Sequence, residues 1–141
     1  MKAVLGAVAV AFAASSCDTV DLGSSPADLN ACLPSEKFFA QHLWPEFLGK
    51  DYGGKHCYDG GCHGAGSPQV MVLVPPAGEP MVPLSPEWAA VYQAVARQTN
   101  CTSASASLLI ERPSNVNHGG HKLIDPDGAE ATLVKMWVVA P

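Results

Sequence analysis

A chain of 141 residues has room for one small hydrophobic core and not for two. Eight Lys and Arg against 13 Asp and Glu give a net charge of −5 with no basic cluster, which argues against nucleic acid and anionic lipid headgroups as partners. Five cysteines are many for so short a chain, and in an exported protein each calls for a covalent fate.

In chain order, Met1-Lys2 and the apolar run over residues 3–14 read as an export signal, too short to span a bilayer. The run ends in Ala14-Ser15-Ser16-Cys17, which resembles the lipobox of bacterial lipoproteins. That resemblance implies cleavage before Cys17, a diacylglycerol on its thiol and an acylated new amino terminus. Residues 1–16 would then be a signal peptide, and the mature protein would be anchored to a membrane of the cell envelope, facing the periplasm or the exterior. The alternative is an ordinary signal peptide that leaves Cys17 as a thiol. Residues 17–33, rich in Asp, Ser and small residues, read as a tether, and residues 34–141 as the folded domain.

Pro34-Ser35-Glu36 predicts a helix start with Ser35 as N-cap, followed by Phe38, Phe39, Leu43, Phe47 and Leu48 at spacings near three and four. Pro45 is expected to kink this helix or end it early. A loop of glycines and charges over residues 49–55 leads into a cysteine cluster. Residues 66–86 are rich in Pro and Gly around the apolar run 70–74, which predicts an extended loop with at most one short strand, lying along an apolar surface. Ser85-Pro86-Glu87 opens a helix that buries Trp88, Val91, Tyr92 and Val95 on one face. Ser105 is expected to cap a short helical turn through Leu108, Leu109 and Ile110, closed by Pro113. Asp125-Pro126-Asp127 should open a last helix with Leu133, Met136 and Trp137 toward the core. The expected fold is mainly α: three to four short helices joined by Pro/Gly-rich loops. With only three Trp, three Tyr and four Phe, such a domain would gain core area from a large planar cofactor.

Cys57-Tyr58-Asp59-Gly60-Gly61-Cys62-His63 sets two thiols and an imidazole within seven residues. Covalent haem attachment asks for that combination: two thiols to add to the porphyrin vinyl groups, and a histidine directly after the second to reach the iron. Four residues separate the cysteines where two are usual, and Asp59-Gly60-Gly61 is turn material able to bulge and absorb the excess. A local Cys57–Cys62 disulfide, or a zinc site using both thiolates with His56 or His63, remains open as an alternative. With these two cysteines used together and Cys17 lipidated, Cys32 and Cys101 are left as a disulfide pair or as two separate thiols. Such a disulfide would close a loop of about 70 residues, worth roughly 3 to 4.5 kcal/mol on the chain-entropy model.

Other histidines and methionines available to an iron are His42, His56, His118, His121, Met71, Met81 and Met136, the last reading as a helix core residue. His118-Gly119-Gly120-His121 precedes the last helix, and its glycines permit close approach to a flat ring. Together with Ser107-Leu108-Leu109 leading to Pro113 and the late Trp137, these features resemble the planctomycete-type single-haem cytochrome c domains over about residues 36–139. The resemblance implies a cytochrome c-like fold around one haem c, with Cys57, Cys62 and His63 attaching it and His118 as distal ligand. His121, where that family more often has glycine, stays an alternative ligand. Two histidines would give a six-coordinate, low-potential iron, and hence an electron carrier, not an enzyme, serving redox partner proteins at the membrane surface. A haem peroxidase or gas-binding sensor with an open distal position is one alternative, and a haem-free disulfide-bonded lipoprotein is another. Arg112 and Lys122 read as solvated charges, although either has the chemistry to pair with a haem carboxylate. Asn115 and Asn117 read as turn residues.

Overall fold

A computed structural model describes residues 34–69, 71–116, 118 and 122–139. The expected signal peptide and tether, with Cys17 and Cys32, lie outside these residues. Within them the chain is mainly helical and contains no strand. The run expected to hold at most one short strand is irregular, with Leu73 buried and Val72 and Val74 exposed.

Ser35 caps α1 (Glu36–Phe38), its hydroxyl accepting from the Phe38 N–H. α1 runs without a break into a π-helix over Phe39–Leu48. Its buried residues fall in two rows, Phe39, Leu43 and Phe47 in one and Ala40, Trp44 and Leu48 in the next. The wide turn answers the expectation for Pro45, which neither ends the helix nor breaks it. In an α-helix its ring would meet the carbonyl four residues earlier, and i to i+5 geometry moves that carbonyl away. The helix closes with the Gly49 N–H on the Trp44 carbonyl, 2.7 Å apart.

α2 (Pro86–Ala96) forms as its opening residues dictate: Ser85 accepts from the Trp88 N–H, Pro86 stands where no N–H is required, and Trp88, Val91, Tyr92 and Val95 are buried. A 3₁₀ turn (Ala104–Ala106) precedes α3 (Leu108–Glu111). Ser107, not Ser105, stands at the α3 N-cap, and its fully buried hydroxyl accepts from the Asn100 N–H. α4 (Ala129–Val139) starts later than expected because Asp125 and Gly128 first close a turn, with the Asp125 side chain taking the Asp127 N–H. Ala131, Leu133, Val134 and Trp137 face the core, whereas Met136 is exposed.

α4 packs on the π-helix, and Phe39, Tyr92 and Trp137 meet there with ring centroids 5.5 to 6.0 Å apart. Two buried ring donors tie the start of the domain to this core: the Tyr92 hydroxyl to the Pro34 carbonyl and the Trp137 indole to the Ser35 carbonyl, the latter at 2.9 Å. α3 packs on α4 and contributes Leu109 and Ile110 to the same core.

Candidate functional site

The cysteine segment is held as a compact knot of turns by its own backbone. His63 N–H donates to the Cys57 carbonyl (2.9 Å), while Cys62 and Gly64 N–H both reach the Asp59 carbonyl (2.8 and 2.9 Å). The Asp59 side chain takes the His56 N–H at 2.8 Å. The four-residue spacing is therefore closed by bonds between its ends, and the two cysteines are carried back to one side of the loop. Gly60 and Gly61 stand open, with nothing within 4 Å of where a Cβ would lie. Gly64 is the glycine the geometry requires: a Cβ there would sit 2.3 Å from the Tyr58 carbonyl oxygen. Tyr58, between the cysteines, stacks on Trp44 at 5.8 Å and so fixes the knot to the core.

His63 is oriented by the loop that follows. Its Nδ1 lies 2.8 Å from the Met71 carbonyl, and its own carbonyl accepts from the Leu73 N–H at 2.6 Å. A carbonyl accepts only, so Nδ1 donates this bond and Nε2 is the ring nitrogen left facing away from it. The His118 ring lies 5.8 Å from that of His63, centroid to centroid, with planes 23° apart. The two imidazoles therefore lie near one another and nearly parallel, although they come from segments 55 residues apart. His118 is half-buried, and burial chiefly, then the neighbouring His63 and Arg112, lower its pKa. At neutral pH its lone pair is free to donate.

Cys57, Cys62, His63 and His118 all line one open cavity of about 860 Å³. Its apolar lining includes Phe47, Leu48, Met71, Leu109 and Leu123. That volume lies in the range of cofactor pockets. Both cysteines are free thiols, so the local disulfide open to the sequence is not formed. Burial, reinforced by the nearby Cys62 thiol, pushes the Cys57 pKa up to about 11, and Cys57 stays a protonated thiol. Among the described residues no group of three or more His, Cys, Asp and Glu side chains is placed to hold a metal ion, which gives the zinc alternative no support.

The remaining candidates fall elsewhere. His42 pairs with Glu46 on an exposed helix face, at 2.9 Å. His56 also borders the cavity, but its ring stacks on Tyr58 at 4.8 Å and lies 3.7 Å from the Asp59 carboxylate. Met81 and Met136 are exposed. His121 lies outside the described residues. Cys101 is disulfide-bonded, and Cys32, the partner expected for it, lies outside the described residues. Sequence reasoning missed the Met71 carbonyl, Gly64 and Tyr52. The Tyr52 ring lines the cavity, its hydroxyl donates to the Phe47 carbonyl at 3.2 Å, and its pKa is raised, chiefly by burial. No family model matches the chain, nor does any curated protein or solved structure, so the family likeness rests on the residues quoted from the sequence.

Proposed function

We propose that this protein is a lipid-anchored, single-haem c-type cytochrome that carries electrons at the cell envelope. The observation that carries the reading is the convergence of Cys57, Cys62, His63 and His118, from two segments far apart in sequence, on one largely apolar cavity. Cys57 and Cys62 would hold the haem covalently, each thiol adding across a vinyl group so that sulfur bonds one vinyl carbon and the thiol hydrogen goes to the other, with no net oxidation or reduction. His63, its Nδ1–H held by the Met71 carbonyl, offers a fixed and more basic Nε2. His118 offers the second nitrogen. When bound, haem supplies a one-electron iron couple, and two imidazole ligands favour its ferric state over His/Met pairing.

With both His63 and His118 holding it, the iron would have no open position for a substrate, which favours a carrier over a peroxidase or gas sensor. Phe47, Leu48 and Leu109, from the helical wall and α3, keep water from the closed side of the cavity. The lipid on Cys17, proposed from the lipobox-like residues, would hold the domain at a membrane surface near its redox partner proteins, on the periplasmic or outer side. No described helix is long and apolar enough to cross a membrane.

The test is to produce the full chain in a host with haem-attachment machinery, then run denaturing gel electrophoresis with haem staining and record an absorption spectrum. The expected result is a stained band and a low-spin spectrum, with no methionine-to-ferric-iron band and no Soret shift when carbon monoxide meets the reduced protein. A coloured protein that binds carbon monoxide at once contradicts the carrier role in favour of a sensor or peroxidase. A colourless band contradicts haem altogether.

A further inference from the structure

A second cavity, of about 360 Å³, takes no part in the haem reading. Trp44, Tyr58 and Trp88 line it on one side and the loop over residues 75–79 on the other. Trp44 and Trp88 are each only 4% exposed, yet neither indole N–H has a hydrogen-bond partner among the described residues, whereas Trp137 gives its own to the Ser35 carbonyl. No fully buried side-chain nitrogen or oxygen among the described residues lacks a partner, so both N–H groups reach accessible space. For Trp44 that space is this cavity: its Nε1 lies 2.9 Å from where a Cβ on Gly49 would stand, and Gly49 is part of the lining. Trp88 lines the same cavity and meets Trp44 edge to face, centroids 4.7 Å apart.

Two open N–H donors ask for an acceptor. An anion is disfavoured, because Glu79 is the one charged side chain in the lining among the described residues. A quaternary ammonium would need open ring faces, but Tyr58 is stacked on Trp44 at 5.8 Å and on His56 at 4.8 Å, and Phe39 sets a further ring 6.1 Å from Trp44. The ring faces are spent on one another and the N–H edges are left. Pro75 and Pro76 bring apolar rings to the wall and no N–H of their own. The ligand that fits is uncharged, with carbonyl oxygens for the indoles and an apolar body for the prolines. A methylated six-membered ring with two carbonyls is of a size that such a cavity holds. We infer that this cavity binds an uncharged carbonyl compound of the quinone class, with the Trp44 and Trp88 N–H groups donating to its oxygens. Tyr58 stands between the two cysteines and also lines this cavity, so a ligand here lies beside the loop that would hold haem. The choice of a quinone, a carbonyl compound that exchanges electrons, rests on the haem reading; the binding site does not.

The experiment follows the indole N–H signals of the oxidised full-length protein, isotope-labelled at tryptophan, by nuclear magnetic resonance while duroquinone is added. The fully methylated ring of this probe spares the free thiols. The Trp44 and Trp88 signals are expected to move and saturate, while that of Trp137, bonded to Ser35, stays in place. Trp44→Phe removes one donor, keeps an aromatic ring and should weaken duroquinone binding about five- to tenfold, read on the Trp88 signal. Should that variant fail to fold, Trp88→Phe gives the same weakening, read on Trp44. Neither p-xylene, a similar ring without carbonyls, nor tetramethylammonium should move the signals. Unmoved Trp44 and Trp88 signals with duroquinone, or equal shifts with p-xylene or tetramethylammonium, overturn this inference and leave the haem reading standing. A colourless protein whose Trp44 and Trp88 signals move with duroquinone supports the site and overturns the haem reading instead.

Discussion

His63 differs from an ordinary loop histidine by one backbone atom, the Met71 carbonyl that holds its Nδ1. Gly64 sets the turn on which that histidine rides. Gly64→Ala would press a methyl against the Tyr58 carbonyl and the Asp59 backbone, so it should lower stability by about 1–3 kcal/mol and reduce haem loading. Gly60→Ala and Gly61→Ala meet open space and should change stability by no more than about 0.5–1 kcal/mol. Thermal melts and haem-to-protein ratios of the three variants check this, and equal behaviour of all three would contradict it. His118→Ala should open one iron position and confer carbon monoxide binding on the reduced protein, with the thioether attachment intact. The cysteines and His63 were legible because they lie within seven residues of one another in the sequence. The Met71 carbonyl was not, since every residue type offers the same backbone atom, and Gly64 was hidden among 13 glycines because its need arises only from the folded path of residues 58 and 59.

At the scale of elements, start signals read well where side chain and backbone are near neighbours, as at Ser35 and Ser85, and less well where a turn competes. Asp125-Pro126-Asp127 has the composition of a helix start, but the Asp125 side chain spends its capacity on a turn ending at Gly128. Ser85→Ala should cost about 1 kcal/mol through the lost Trp88 N–H bond, measurable by denaturant unfolding. Lys50, just after the π-helix, bonds Glu130 in the first turn of α4 and so links the two elements that make the core wall. The hydrogen bond from Lys50 holds the Glu130 carboxyl below its ordinary value of 4.5 in the folded state. A depressed folded pKa means a contribution present above the unfolded value and lost as pH falls through the folded one. Melting temperatures of wild type and Glu130→Gln should therefore differ at pH 7 and converge as the pH falls through the lowered folded-state pKa of Glu130. A gap that persists at low pH would contradict the pairing.

At the scale of the whole molecule, a helical wall built on Phe39, Trp44, Trp88, Tyr92 and Trp137 closes one side of the domain and leaves an 860 Å³ cavity on the other. The class of fold was legible from helix periodicity and caps. The cavity was not, because it arises where Phe47 and Cys57, Gln69 and Met71, and Leu108 and His118 meet without any shared pattern. A domain with so large an apolar hollow should be more stable filled, so haem-loaded protein should melt well above protein made without attachment machinery. The Cys101 disulfide should add to this: Cys101→Ser is expected to lower stability by about 2–5 kcal/mol. Peptide mapping under non-reducing conditions should recover Cys101 linked to Cys32. The central claim, that Cys57 and Cys62 carry one haem seated between His63 and His118, is tested most directly by intact mass. Protein from a host with attachment machinery should be heavier by one haem, and the Cys57→Ser, Cys62→Ser double variant should lose that increment on denaturation. A wild-type polypeptide of unmodified haem-free mass would contradict the account.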